Sequence, residues 1–260
     1  MKKTQLCKNN IFTVDHFLTP TECKLLIGKG DKRGWQKSSV SGGGHGRTGN
    51  EDPVTNSFSV LQETEFADVL WDRIQKFLPE NLAYMGKNIY FHSVSQGAEW
   101  KPHSIFNKLR LYKYNPGEVF PEHIDYKVKK DIINEDGSRT ILQSFNTLII
   151  YLNEDFEKGT TGYWPDHTGI HCRFVRDVEK QHHKKDHQVV ITPQTGKAVI
   201  QDQNILHEAI APEKGIKYIL RTDIIYETNI PFNPKLKKKD APREGVWETL
   251  FETSCKNYAI

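Results

Sequence analysis

The chain has 260 residues, 36 lysines and arginines against 33 aspartates and glutamates, and a formal net charge of +3. So small a charge at this length gives no global case for nucleic-acid binding, and no run approaches the roughly 18 apolar residues that a membrane span needs. Its cysteines, Cys7, Cys23, Cys172 and Cys255, form no C-x-x-C, so neither a disulfide framework nor a zinc knuckle is expected and the thiols are read as reduced.

The first ten residues carry charge with no apolar stretch behind it, unlike a secretory signal, and cytoplasmic residence is the expectation. Thr19 caps a helix predicted over 20–30. The glycine-rich turn at 41–46 lacks the Gly-Lys-Ser/Thr ending of a nucleotide loop. A second helix is predicted over 63–78, with Phe66, Val69, Leu70, Ile74, Phe77 and Leu78 on one broad face and Pro79 stopping it. Strands are predicted at about 88–94, 107–114, 140–152, 188–192, 197–201 and 218–226. The polar, histidine-rich stretch 164–188 reads as a long loop over one edge of a β-barrel. The basic run 235–239 is a nuclear address or, more simply, a solvated linker, and 245–252 reads as a helix packing back on the domain.

His123-Ile124-Asp125 sets an imidazole and a carboxylate two residues apart, on the same side of an extended strand. His207, at the end of the run 197–206, must arrive from a different strand. Two imidazoles and one carboxylate can hold one face of an octahedral Fe(II), leaving the other face for a bidentate co-substrate and dioxygen. An H-x-D alone is a weak signal in a chain with 11 histidines and 33 acidic residues, so the surroundings matter. Lys217 and Arg221 share one face of a later strand, and either offers the cation that a dicarboxylate co-substrate needs inside a pocket. Tyr112 and Tyr114 share a face too, and either hydroxyl can reach such a co-substrate, with plain packing the rival role. His167, His171, His182, His183 and His187, with Cys172, match no compact zinc spacing, and His92 and His103 read as ordinary strand or loop residues. Arg47 and Asn50 lie in a polar loop before Pro53.

Together, Tyr114-x-x-Gly117-x-x-Phe120-x-x-His123-x-Asp125, Thr147-x-x-x-Tyr151-Leu152-Asn153, Thr161-x-Tyr163, Pro193-x-x-Gly196, and His207 with Gly215-x-Lys217 resemble the prolyl 4-hydroxylase-type Fe(II)/2-oxoglutarate-dependent oxygenases. The resemblance runs from about residue 11 to residue 226. It implies an α+β, mainly β fold: a double-stranded β-helix (jelly-roll, cupin-like) core at about 88–228, supported by N-terminal helices at about 15–80. Residues 1–230 would form the oxygenase domain, and 231–260 a basic linker and C-terminal helix. His123, Asp125 and His207 would be the iron ligands. Lys217 is favoured over Arg221 for the distal carboxylate, because Gly215-x-Lys217 reproduces the family's local pattern. The implied cofactor is Fe(II), with 2-oxoglutarate and dioxygen as co-substrates and ascorbate as a reductant. The implied reaction hydroxylates an unactivated C–H of a peptidyl proline, an amino acid or a small molecule, releasing succinate and CO2. The other class is a non-catalytic scaffold that binds metal and 2-oxoglutarate. Lys158, where the family has a glycine, and Gln201, where an aromatic is commoner, depart from the pattern and are read as affecting packing more than ligation.

Overall fold

A computed structural model describes residues 1–7, 11–38, 54–83, 99–168 and 186–230. The predicted strand at 88–94, the glycine turn at 41–46 with Arg47 and Asn50, and everything assigned to 231–260 lie outside the described residues.

Strands β1 (Lys2–Cys7) and β2 (Ile11–Asp15) lead into α1 (Pro20–Arg33). Then come β3 (Gln36–Lys37), β4 (Ser57–Gln62), α2 (Thr64–Ile74) with a 3-10 turn at Gln75–Phe77, and β5 (Leu82–Ala83). Next are β6 (Glu99–Ile105), β7 (Lys108–Tyr114), β8 (Phe120–His123), β9 (Lys129–Ile133), β10 (Arg139–Tyr151) and β11 (Glu157–Lys158). The last are β12 (Thr161–Thr168), β13 (Val189–Ile191), β14 (Ala198–Asp202), β15 (Ile205–Ala209), β16 (Pro212–Lys214) and β17 (Lys217–Ile230).

One sheet runs β1-β2-β14-β10-β17-β7-β4-β3, and a second runs β13-β12-β15-β8. Count β7, β8, β10, β12, β13, β14, β15 and β17 as the first to eighth strands of a core. The first sheet then holds the first, eighth, third and sixth, the second the second, seventh, fourth and fifth, which is the strand order of a double-sheet jelly roll. Both sheets keep open edges among the described residues, so the expected barrel is a two-layer sandwich.

Alternation along each strand sorts side chains into two cores. Leu109, Leu111, Leu148, Ile150 and Leu220 join Leu26, Ala67, Leu70 and Ile74 of the helices. Ile149, Tyr151, Val199, Ile219, Tyr114 and Tyr163 form the core between the sheets. Leu70 and Ile74 are fully buried, each burial contributing ~1.5–3 kcal/mol. Val69, expected on the buried face, is 38% exposed, because the face that packs is the one carrying Ala67, Leu70 and Ile74.

The cap of α1 forms as its sequence dictates. The Glu22 N–H donates to the Thr19 hydroxyl, the Glu22 carboxylate takes the Thr19 N–H at 2.8 Å, and Pro20 opens the helix. Arg73 of α2 then grips the same carboxylate at 2.7 and 3.0 Å and donates to the Phe17 carbonyl, tying the two helices together. Strand β12 runs to Thr168, so the start of the expected loop is strand, while 169–185 lie outside the described residues. Among the described residues no helix is long and apolar enough to cross a membrane.

Candidate metal centre

Strands β8 and β15 are neighbours in the second sheet, with His123 and His207 as Cα partners and their rings 4.2 Å apart. Asp125 lies just beyond β8, where its N–H donates to the Gln203 carbonyl at 2.9 Å and fixes the backbone that carries its carboxylate. The ligand atoms of His123, Asp125 and His207 all lie within 4.8 Å of one another, and among the described residues no other group of histidines, cysteines and acids does this.

Each imidazole presents its other nitrogen to a backbone carbonyl: His123 Nδ1 to Pro121 O at 2.7 Å, and His207 Nδ1 to Ile205 O at 2.9 Å. A carbonyl only accepts, so Nδ1 carries the proton in both rings and Nε2 is the nitrogen able to ligate a metal, that of His207 lying 3.7 Å from Asp125 Oδ2. Burial, then the neighbouring His207, pushes His123 down to about 3, which keeps it a neutral donor. Burial alone would raise the Asp125 carboxyl. The guanidinium of Arg221, with His207, His123 and the Thr147 hydroxyl, more than reverses this and holds it well below the usual carboxylate range. Two imidazole nitrogens and one ionised oxygen suit a divalent transition metal such as iron.

Asp125 is held on both oxygens. Thr147 Oγ1 donates to Oδ2 at 2.5 Å, and Arg221 Nη2 donates to Oδ1 at 3.0 Å. The Gln201 amide stands between two members of the group, its Nε2 3.2 Å from Asp125 Oδ2 and 3.1 Å from His207 Nε2, while Tyr163 donates to its Oε1 at 2.7 Å. Gln201 therefore touches two of the three candidate ligands, a larger part than the packing role read from sequence.

On the same inter-sheet face of the first sheet, Lys217 is fully buried and its Nζ has no hydrogen-bond partner among the described residues. Its Nζ lies 5.2 Å from the Tyr114 ring centre and 5.8 Å from that of Tyr151. Burial pushes the ammonium down to about 7. Arg221, two periods of alternation further along β17, is committed to Asp125 and to Asp223. Tyr114 is buried, with its hydroxyl raised well above the ordinary range by burial, and Tyr112 is half-buried 6.5 Å away, ring to ring. Asn56, the residue before β4, is fully buried beside the Tyr114 hydroxyl.

Thr147, Gln201 and Asn56 were missed as site residues. A signal existed: Thr147 and Gln201 are polar positions on buried strand faces that are otherwise apolar, and buried polar groups need a reason. Of the other histidines, His187 Nε2 donates to the Glu208 carboxylate at 2.7 Å and its ring lies against Trp164, and His103 sits 3.7 Å from Glu227. His92, His171, His182 and His183, with Cys172, lie outside the described residues.

A double-sheet jelly roll whose facing layers gather two histidines, a carboxylate and a buried cation is a candidate mononuclear metal protein. No family model and no curated protein matches the chain. It is similar to the viral collagen prolyl hydroxylase of Paramecium Bursaria Chlorella virus-1 in its 2OG complex, at 18% identity over 84% of this chain and 96% of that one, with a TM-score of 0.47. It is also similar to a Pseudomonas putida prolyl-4-hydroxylase, at 12% identity over 83% and 92% of the two chains and a TM-score of 0.47. A third similarity is to a Trichoplax adhaerens prolyl hydroxylase in complex with a hypoxia inducible factor peptide fragment, at 12% identity over 83% of each chain and a TM-score of 0.45. Identities and scores this low leave the reading of the site to its own side chains.

Proposed function

We propose that this protein is an Fe(II)- and 2-oxoglutarate-dependent dioxygenase that hydroxylates an unactivated C–H of a peptidyl proline, an amino acid or a small molecule. One observation carries the reading. A two-histidine, one-carboxylate group and a fully buried ammonium without a partner, Lys217, occupy the same space between two sheets. A buried charge left unpaired is costly, so its presence calls for an anion that arrives with a ligand.

In this reading His123 and His207 hold the metal through Nε2 and Asp125 through a carboxylate oxygen. Metal and co-substrate together supply the oxidising chemistry, by which R–H, dioxygen and 2-oxoglutarate become R–OH, succinate and CO2. The chain's own part is placement. Lys217 pairs with the distal carboxylate of 2-oxoglutarate, and the rings of Tyr114 and Tyr151 around its Nζ keep water from competing for that pair. The Tyr114 hydroxyl, kept protonated by burial, is a hydrogen-bond donor on that side, with Tyr112 flanking it. Arg221 is a poorer anchor because Asp125 and Asp223 already occupy its guanidinium. Peptidyl proline as substrate is supported by the motif resemblance rather than by any group in the site.

Incubation in air with Fe(II), 2-oxoglutarate and ascorbate is expected to release succinate, with a mass gain of one oxygen on the right member of a peptide and amino-acid panel. His207→Ala should lose this release while keeping its circular dichroism spectrum. Binding of Fe(II) and 2-oxoglutarate with no succinate on any panel member would instead identify a scaffold.

A further inference from the structure

Resting on the dioxygenase reading, we propose that Arg221 is a positioning residue: it holds one oxygen of Asp125 so that the carboxylate offers only the other to a metal. The two oxygens have different surroundings. Oδ2 lies 3.7 Å from His207 Nε2 and accepts from Thr147 and Gln201, whereas Oδ1 accepts from Arg221 Nη2 at 3.0 Å.

The guanidinium is itself fixed. Asp223 takes Nη1 at 3.1 Å on one oxygen and lies 3.0 Å from Nη2 with the other. Gln203 Nε2 donates to Asp223 at 2.7 Å, and Gln203 Oε1 accepts from Ser144 at 3.0 Å. The Gln203 backbone carbonyl then takes the Asp125 N–H, so Asp125, Arg221, Asp223 and Gln203 form a closed ring of hydrogen bonds. The ring joins the end of β8, the β14–β15 turn and β17, and Arg221, Asp223 and Gln203 are all buried.

An apolar cluster of the same volume would stabilise the fold at least as well as these buried charges, so their value lies in directed geometry. Three single-atom ligands leave an octahedral ion three open positions, which a chelating keto acid and dioxygen together require. A carboxylate binding through both oxygens would remove one of them. Arg221 disfavours that by fixing a positive charge against Oδ1, whereas the Thr147 and Gln201 donors on Oδ2 are neutral, and Asp223 keeps the guanidinium's own charge balanced beside a cation.

The test uses Co(II) as the probe, whose visible spectrum reports coordination without turnover. Arg221→Gln, and Arg221→Gln with Asp223→Asn so that no buried carboxylate is left unpaired, are compared with the wild type, with folding checked by circular dichroism. The expected result is a changed spectrum before any 2-oxoglutarate is added, with Co(II) bound more tightly because Oδ1 becomes free to act as a second carboxylate ligand. Superimposable metal-only spectra and equal affinities would overturn the proposal. So would unaltered metal-only spectra with a lost response to 2-oxoglutarate, since that makes Arg221 the anion anchor. If wild-type protein binds Co(II) but shows no response to 2-oxoglutarate, the dioxygenase reading fails, and the metal-only spectra still decide the role of Arg221.

Discussion

At the residue scale the proposed part of Lys217 is directly testable, because its buried Nζ has no hydrogen-bond partner among the described residues. Lys217→Ala is expected to remove about 3–5 kcal/mol of co-substrate binding, read as a rise of about two to three and a half decades in the 2-oxoglutarate KM at 1.4 kcal/mol per decade. Arg221→Ala should raise that KM less. The pH dependence has a definite sign. Without ligand the Lys217 pKa is lowered to about 7, and a carboxylate partner raises it, so binding takes up a proton above that point. Affinity for 2-oxoglutarate should therefore be flat below pH 7 and fall by about tenfold per unit above it. Calorimetry across pH checks this, and Lys217→Met should flatten the curve. A slope that survives in the variant would show that another group titrates. His123, Asp125, His207 and Lys217 were visible in the chain because each combines a reactive type with a spacing. Thr147 and Gln201 carried a weaker signal, a polar residue on an otherwise apolar strand, which acquires a role only once the strand's buried face is known.

At the element scale, α1 and α2 are joined through Glu22, whose carboxyl is held down at about 2, chiefly by its bonds to Arg73. A depressed carboxyl stabilises the fold above its ordinary value of 4.5, and that contribution disappears as pH falls toward about 2. Glu22→Gln should cost about 1–2 kcal/mol at pH 7 after allowance for solvent screening, and almost nothing near pH 2. Paired urea titrations at the two pH values measure the difference. The turn before β14 offers a second test. Gly196 has φ +77°, a Cβ there would sit 2.0 Å from the Leu18 carbonyl, and its own carbonyl accepts from Phe17 and Leu18 N–H. Gly196→Ala should cost more than about 2 kcal/mol, seen as a lower Tm, with β2 and β14 parting first. Both helices were readable from caps and period, as were β7, β10 and β17 from their apolar alternation. Strand β9, Lys129–Ile133, was not, because its charged residues are half-solvated and only pairing with β10 makes it a strand.

For the whole molecule, the two cores and the ring around Arg221 satisfy the site without help from a metal. Treatment with a chelator should therefore leave the far-ultraviolet circular dichroism unchanged. Added divalent metal at about 100 times its Kd should stabilise by about 2.7 kcal/mol, read as a higher Tm. Unfolding on chelation would mean that the metal, and not the sandwich, holds the two sheets together. By itself the sequence determined the helix caps, the alternation that gives each main strand two faces, the donor types in His123-x-Asp125 and His207, and a choice of two cations on β17. These depend on neighbours in the chain or on a period of two. Only the tertiary structure set the surroundings of the two cations apart, because burying Lys217 without a hydrogen-bond partner among the described residues and engaging Arg221 with Asp125 and Asp223 depend on strands that are far apart in sequence. It also decided that Gln201 reaches the metal group, since β10, β14 and β15 meet there only once the jelly roll has closed one sheet over the other.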